Sequence, residues 1–334
     1  VVRIAIDAMG GDHAPQPIID GALAAARHLQ IGLTLVGDPM SIRQELARHR
    51  DAGSLDVQLV DAAEHVSMAE APAAALRRKP QASIRVAAAS VASGQAAALF
   101  SAGNTGATVL AAHAAFGMIP GVDRPALATT IPTRDGAAVL VDIGANAECR
   151  PQHLVQFAAM GTVYARLALD LARPRVGLLS IGEEETKGND LTREAHRLLK
   201  KGPLNFIGNL EARDVYSGQA DVIVCDGFTG NIVLKVSEGL VDMVEDLLRE
   251  EIRTSLGGIG SFFSRKAFRQ FRRQVDYAEY GGAPLMGVAG LCIVGHGRSS
   301  AKAVHNAIAL AARFATHGFV ERIGTEIAAT GVNQ

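Results

Sequence analysis

Two matching turns hold the residues with the most chemical promise. AAALFSAGNTGATVLAAH at 96–113 and ADVIVCDGFTGNIVLKV at 220–236 each run an apolar stretch into Gly-x-Thr-Gly and then into a second apolar stretch. A strand that breaks on glycine and restarts as a helix presents backbone N–H groups and a Thr hydroxyl at the positive end of that helix. Such a turn seats an oxyanion, most often phosphate. Asn104, Thr105 and Gly106 in the first turn, with Thr229, Gly230 and Asn231 in the second, form the candidate phosphate cradle. Either turn taken alone also admits a plainer reading, in which glycine merely lets the chain reverse. A third strand end, AAVLVDIGANAE at 137–148, offers Asp142, Gly144 and Asn146 in the same setting. Three such turns predict one shared cleft, because the strand ends of a parallel sheet lie side by side.

Other groups could join that cleft. The opening loop Asp7-Ala8-Met9-Gly10-Gly11-Asp12-His13 sets two carboxylates and an imidazole around a Gly-Gly turn, suited to proton transfer or metal binding, with helix capping by Asp12 as the structural alternative. After the run RVGLLS, the stretch SIGEEETKGND supplies Lys187 as a counter-charge for phosphate, and Asn189 or Asp190 as a helix cap. Lys235 sits one helical turn beyond Asn231 and could reach back to the same anion, or be a surface lysine. His296 follows the apolar run GLCIVG and could give or take a proton near neutrality. Cys225 ends a strand just before Asp226-Gly227; it is a candidate nucleophile or, with no histidine nearby in sequence, a small core residue.

The elements that must position these groups follow from hydropathy. Apolar runs of four to six residues alternate with amphipathic stretches, as in RIAID, PIIDGALAAARHL, LTLVGD and VQLVD, which predicts βαβ units and a parallel sheet. Further strands are predicted at 96–101, 126–131, 137–142, 175–181, 204–207, 221–225 and 291–295. No low-complexity linker and no 20–50-residue repeat divides the chain, so residues 1–334 are expected to form one α/β catalytic domain around a cleft.

Composition narrows the function. A chain of 334 residues can bury a sizeable core, and 48% hydrophobic content with no Trp and four Tyr leaves few platforms for stacking bases. With a formal charge of −1 there is no general attraction for nucleic acid. Cys149, Cys225 and Cys292 have no CxxC spacing, so neither a disulfide framework nor a metal site is expected. The chain opens on VVRIAIDAMGGD without an apolar leader and holds no run long enough to span a bilayer, so a cytoplasmic protein is expected. Residues 252–275, IRTSLGGIGSFFSRKAFRQFRRQV, differ in kind: six cations, among them Arg269 and Arg272, flank an apolar face that includes Phe263 and Phe271. That is the pattern of a helix that lies on an anionic membrane surface, or of a dimer-forming or core-packing helix with solvated arginines.

DAMGGDHAP, SAGNTGA, DRPALA, VDIGAN, HLVQFAAMG, KGND, FIGNLEARD, DGFTGNIVLK, YGGAPLMG and GHG occur in this order from about residue 3 to residue 315. The combination resembles the bacterial phosphate acyltransferases of phospholipid synthesis. The resemblance implies a homodimeric three-layer α/β/α enzyme with a mostly parallel sheet, similar to phosphotransacetylases and isocitrate-type dehydrogenases. It implies transfer of a long-chain acyl group from acyl carrier protein to inorganic phosphate, for a membrane glycerol-3-phosphate acyltransferase to use. Phosphate would attack the thioester directly and no cofactor is needed. Local chemistry then makes Lys187, Asn231 and His296 the candidate catalytic residues, His296 as proton donor to the leaving sulfur, with Asp7, Asp12, His13, Asp142, Asn146, Asn189 and Asp226 as further cleft candidates. A non-catalytic scaffold that binds lipid or acyl carrier is the alternative.

Overall fold

A computed structural model describes residues 1–255 and 281–331. Its first strands are β1 (Arg3–Asp7), β2 (Gly32–Gly37), β3 (Val57–Asp61) and β4 (Ala98–Ser101). Then come β5 (Ala126–Thr133), β6 (Gly136–Val141), β7 (Val176–Leu179), β8 (Phe206–Leu210), β9 (Val222–Val224), β10 (Ala283–Met286) and β11 (Leu291–Val294). All join one sheet in the order β3-β2-β1-β4-β11-β10-β5-β6-β9-β7-β8.

Alternate residues of these strands feed two cores, because side chains of a strand point to opposite faces. Ile4 and Ile6 of β1, Phe100 of β4, Val139 and Val141 of β6 and Val222 and Val224 of β9 enter one core. Ala5, Leu99, Leu140 and Ile223, their neighbours in sequence, enter the other. A sheet apolar on both faces must be covered on both. The first face is covered by α1 (Gln16–Leu29), α6 (Pro151–Ala168), α7 (Asp190–Lys201), α9 (Ala301–Thr316) and α10 (Phe319–Thr330). The second is covered by α3 (Pro72–Arg78), α4 (Ser83–Ala92) and α5 (Thr105–Phe116). The result is the three-layer α/β/α architecture that the family resemblance implies. Within α6, Gly161 lets the helix lie close on the sheet: a Cβ there would stand 2.6 Å from Val222 Cγ1. Among the described residues no helix is long and apolar enough to cross a membrane.

Strand direction holds the main surprise. β3, β2, β1, β4 and β11 are mutually parallel, as are β6, β9, β7 and β8. Between the two sets the chain reverses three times, from β11 to β10, β10 to β5 and β5 to β6. Three reversals leave the sets running in opposite senses. The strands predicted at 126–131 and 137–142 thus form an antiparallel hairpin closed at Thr133 and Gly136, around Arg134-Asp135. Of the basic segment expected at 252–275, residues 252–255 close α8 (Gly227–Ser255), and the rest, with Phe263, Arg269, Phe271 and Arg272, lies outside the described residues.

Candidate active site

The loops after β6, β9 and β7 adjoin, because Val141 pairs with Val224 and Leu178 with Val224. At their centre the buried Asp142 carboxylate accepts N–H groups from Leu127, Gly144, Ala145 and Asn146, and the Asn146 side-chain amide. Burial pushes this carboxyl up and the N–H donors pull it down, with burial the larger. Asn146 also donates to Pro125 O at 2.7 Å, so both residues are committed to shaping the loop.

Asp226 caps α8, accepting Thr229 N–H at 2.9 Å and the Thr229 hydroxyl at 2.7 Å. Gly227 N–H goes to Asn146 O at 2.8 Å and Gly230 N–H to Asp226 O at 2.9 Å. The second Gly-x-Thr-Gly turn therefore differs from expectation. Its Thr229 and Gly230 donors are spent inside the protein, and a carboxylate already occupies the positive end of the helix.

The first turn is open. Asn104 caps α5, its Oδ1 accepting Ala107 N–H at 3.1 Å, while its amide donates to the carbonyls of Met68 and Glu70 at 3.2 and 3.1 Å. Asn104 thereby pins the loop 67–70 rather than offering its amide to a ligand. Thr105 and Gly106, the first residues of α5, have no protein acceptor for their N–H groups among the described residues. Beneath them, Ser101 donates to the buried Asp7 carboxylate at 2.7 Å and accepts Gly103 N–H at 3.1 Å. Burial raises the Asp7 carboxyl above the usual carboxylate range.

His296 enters the same mouth, since β11 pairs with β4 through Val294 and Ser101. Its Nδ1 accepts Arg298 N–H at 3.2 Å, which leaves the proton of the neutral ring on Nε2. Asp12 N–H donates to Gly297 O at 2.8 Å, so the opening loop leans on the same turn, with Asp12 and His13 exposed. The predicted shared cleft thus takes a corrected form. The turns at 101–106 and 226–231 end strands of opposite direction and do not lie side by side; α8 spans the gap between them. Asn231 stands over Gly144, where a Cβ would be 3.7 Å away, and one and two turns later Lys235 and Glu238, ion-paired at 2.7 Å, act electrostatically on His296. Burial is the first cause of a lowered His296 pKa; Lys235 follows, opposed by Glu238.

Lys187 is exposed on the loop after β7 and makes no ion pair among the described residues. Asn189 caps α7 through Thr192 N–H at 2.9 Å. Burial pushes all three thiols up, Cys149 to about 11, Cys292 to about 12 and Cys225 well above its ordinary value, with Asp226 and Asp142 adding to the effect at Cys225. A thiol held protonated is a poor nucleophile. Sequence reasoning missed Ser101 and Glu238; the signal for Ser101 was its place as the last strand residue before the first turn.

Residues 2–322 match the family model described as fatty acid synthesis protein. A phosphate acyltransferase of Acidobacterium capsulatum is 48% identical over 327 residues, 98% of this chain and 97% of that protein. One from Pelobacter propionicus is 51% identical over 323 residues, 96% of this chain and 93% of that one. Among solved structures, a phosphotransacetylase from Streptococcus pyogenes superposes with a TM-score of 0.67, covering 95% of this chain and 94% of that one. At 17% identity that likeness is one of fold. Nearly full-length identity at this level sets aside the scaffold alternative: the chain belongs to the phosphate acyltransferase family of fatty acid synthesis proteins and is an acyltransferase.

Proposed function

We propose that the enzyme moves a long-chain acyl group from acyl carrier protein to inorganic phosphate by direct attack on the thioester. The observation that carries this reading is the pair of open N–H groups of Thr105 and Gly106 at the start of α5, beside His296. Phosphate sits on those N–H groups, with Lys235 and Lys187 as counter-charges and Asn231 lining the far wall. A phosphate oxygen attacks the carbonyl carbon; the C–O bond forms and the C–S bond breaks. His296 Nε2–H hydrogen-bonds to the departing sulfur, and the hydroxyl proton of hydrogen phosphate passes to that sulfur, so the thiol leaves neutral and no net proton is consumed. Protonated thiols, with Cys225 and Cys292 buried, support a single displacement without an acyl-enzyme. No cofactor takes part in this scheme.

A homodimer belongs to the same reading. Phe228, Ile232, Val236, Leu240, Met243 and Leu247 recur every three or four residues along α8 and are exposed, a stripe that a second copy would cover. The acyl-phosphate passes to a membrane glycerol-3-phosphate acyltransferase, with residues 252–275 as the contact to an anionic membrane surface from the cytoplasmic side. The decisive experiment measures free thiol released from acyl carrier protein with and without phosphate. Release that needs phosphate and yields acyl-phosphate is the expected result; a covalent acyl adduct on Cys225 formed without phosphate would sink direct displacement.

A further inference from the structure

The chain as a whole carries a formal charge of −1, yet between Glu70 and Asp123 it holds Arg77, Arg78, Lys79 and Arg85 and no carboxylate. The fold gathers these four cations at one place. Arg77 and Arg78 end α3, Lys79 follows, and Arg85 of α4 reaches back to donate to Leu76 O at 2.8 Å. Among the described residues Arg77 donates only to Ala73 O, at 3.2 Å. Nearby acids neutralise only part of the ridge: Glu70 pairs with Lys79 at 2.7 Å and lies 3.8 Å from Arg78, while Glu64 accepts Gln81 N–H. Among the described residues neither Arg77 nor Arg85 has a carboxylate partner, and both are exposed. His65 and Met68 of the adjoining loop are exposed as well.

This ridge is fastened to the candidate active site. The first residue of α3, Pro72, packs against Gly106, where a Cβ would lie 2.7 Å from Pro72 Cγ. Asn104 holds the preceding loop through Met68 and Glu70. A seven-residue helix is about 10 Å long, so the cations stand roughly that far from the open N–H groups of α5. A bulky substrate carrier gripped there could pass its thioester arm over the loop 67–70 into the mouth beside His296.

We propose that the cationic ridge of α3 and α4 is the docking surface for the protein that carries the acyl thioester, and that the carrier meets it with an acidic face. The inference rests on the proposed acyl-carrier reading. The backbone hydrogen bonds of Arg77 and Arg85 leave both guanidinium charges exposed and without a carboxylate partner, and such charges supply long-range attraction that speeds encounter with an opposite charge. The ridge offers no exposed aromatic to bury in a lipid surface, which favours a protein partner.

The test is the double variant Arg77→Glu/Arg85→Glu in the full-length enzyme, assayed with one fatty acyl group on two donors: acyl carrier protein and a small pantetheine thiol. With the protein-borne donor, kcat/KM should fall about tenfold or more at low salt and lose its dependence on ionic strength. With the small donor it should stay within about twofold, because the variant is remote from the reacting atoms. An equal loss on both donors, or none on the protein-borne donor, overturns the docking surface. So does lost sedimentation with anionic vesicles alongside unchanged kinetics, which would assign the ridge to lipid. Titration of acyl carrier protein into wild type and variant by calorimetry supplies a second readout. Binding lost in the variant supports the proposal even if turnover is unchanged by phosphate, a result that would sink only the acyl-transfer reading; equal binding overturns the docking surface.

Discussion

Gly230 and Asp142 meet backbone to backbone: a Cβ at position 230 would stand 1.9 Å from the Asp142 carbonyl oxygen. This contact locks the first turn of α8 to the end of β6, while the Asp142 carboxylate holds the loop that follows. The next residue, Asn231, is thereby fixed over Gly144, and Lys235 is carried one turn on towards His296. Gly230 is there for closeness of packing rather than for an N–H offered to phosphate.

Gly230→Ala should accordingly be destabilising, since backbone atoms and not a flexible side-chain end must move. A loss of about 1–3 kcal/mol is expected, the usual range for overpacking. Thermal denaturation reads it as a lowered Tm. An unchanged Tm would show that α8 is free to shift away from β6.

Thr105→Pro removes one open N–H of the first turn together with the Thr105 hydroxyl. Thr105 is the first residue of α5, where proline is well tolerated, and the extended ψ of 113° at Asn104 suits the residue before a proline. The fold should survive while the KM for phosphate rises about tenfold or more, since a hydrogen bond to a charged group contributes about 1.5–3 kcal/mol. Asn104→Ala should instead cost about 1 kcal/mol of stability through the lost cap. Steady-state kinetics with varied phosphate distinguish the two.

His296 is held neutral to a lower pH than a free histidine by burial and by Lys235. Between its folded and unfolded pKa values the unfolded chain binds more protons, so this group's contribution favours folding as pH rises through that window and is lost as pH falls below it. Lys235→Ala should move the acid limb of the pH–rate profile upward, and Glu238→Gln should move it downward. NMR titration of His296 in both variants checks the assignment. A limb that ignores both changes belongs to another group.

The cysteines should resist alkylation in the native enzyme. With Cys149 at about 11 and Cys292 at about 12, the thiolate fraction at pH 8 is small, and Cys225 is buried as well. Iodoacetamide should therefore leave activity intact until denaturant is added, and Cys225→Ala should turn over near the wild-type rate. Rapid inactivation with one equivalent bound at Cys225 would contradict this.

Much of the architecture was legible locally. Short apolar runs such as RIAID and AAVLV, and the helical stretch PIIDGALAAARHL, depend on residues adjacent in the chain, and the strands and helices stand close to where those patterns put them. Gly-x-Thr-Gly likewise marked both strand-to-helix turns. Strand direction was not legible in the same way, because it depends on pairings between distant segments. The APLM of β10 is only four residues long and contains Pro284, so it carries little strand signal, yet its antiparallel insertion between β11 and β5 helps turn the second set of strands round. Asp135-Gly136 was the one local hint of a reversal. The two turns look alike in sequence, but their chemistry separates only in three dimensions. Asp226 folds back to consume the donors of Thr229, whereas Asn104 caps α5 and still leaves Thr105 and Gly106 open. Residue types and spacings determined which groups could bind an oxyanion; the course of α8, set by its packing on Asp142, decided which of them face His296.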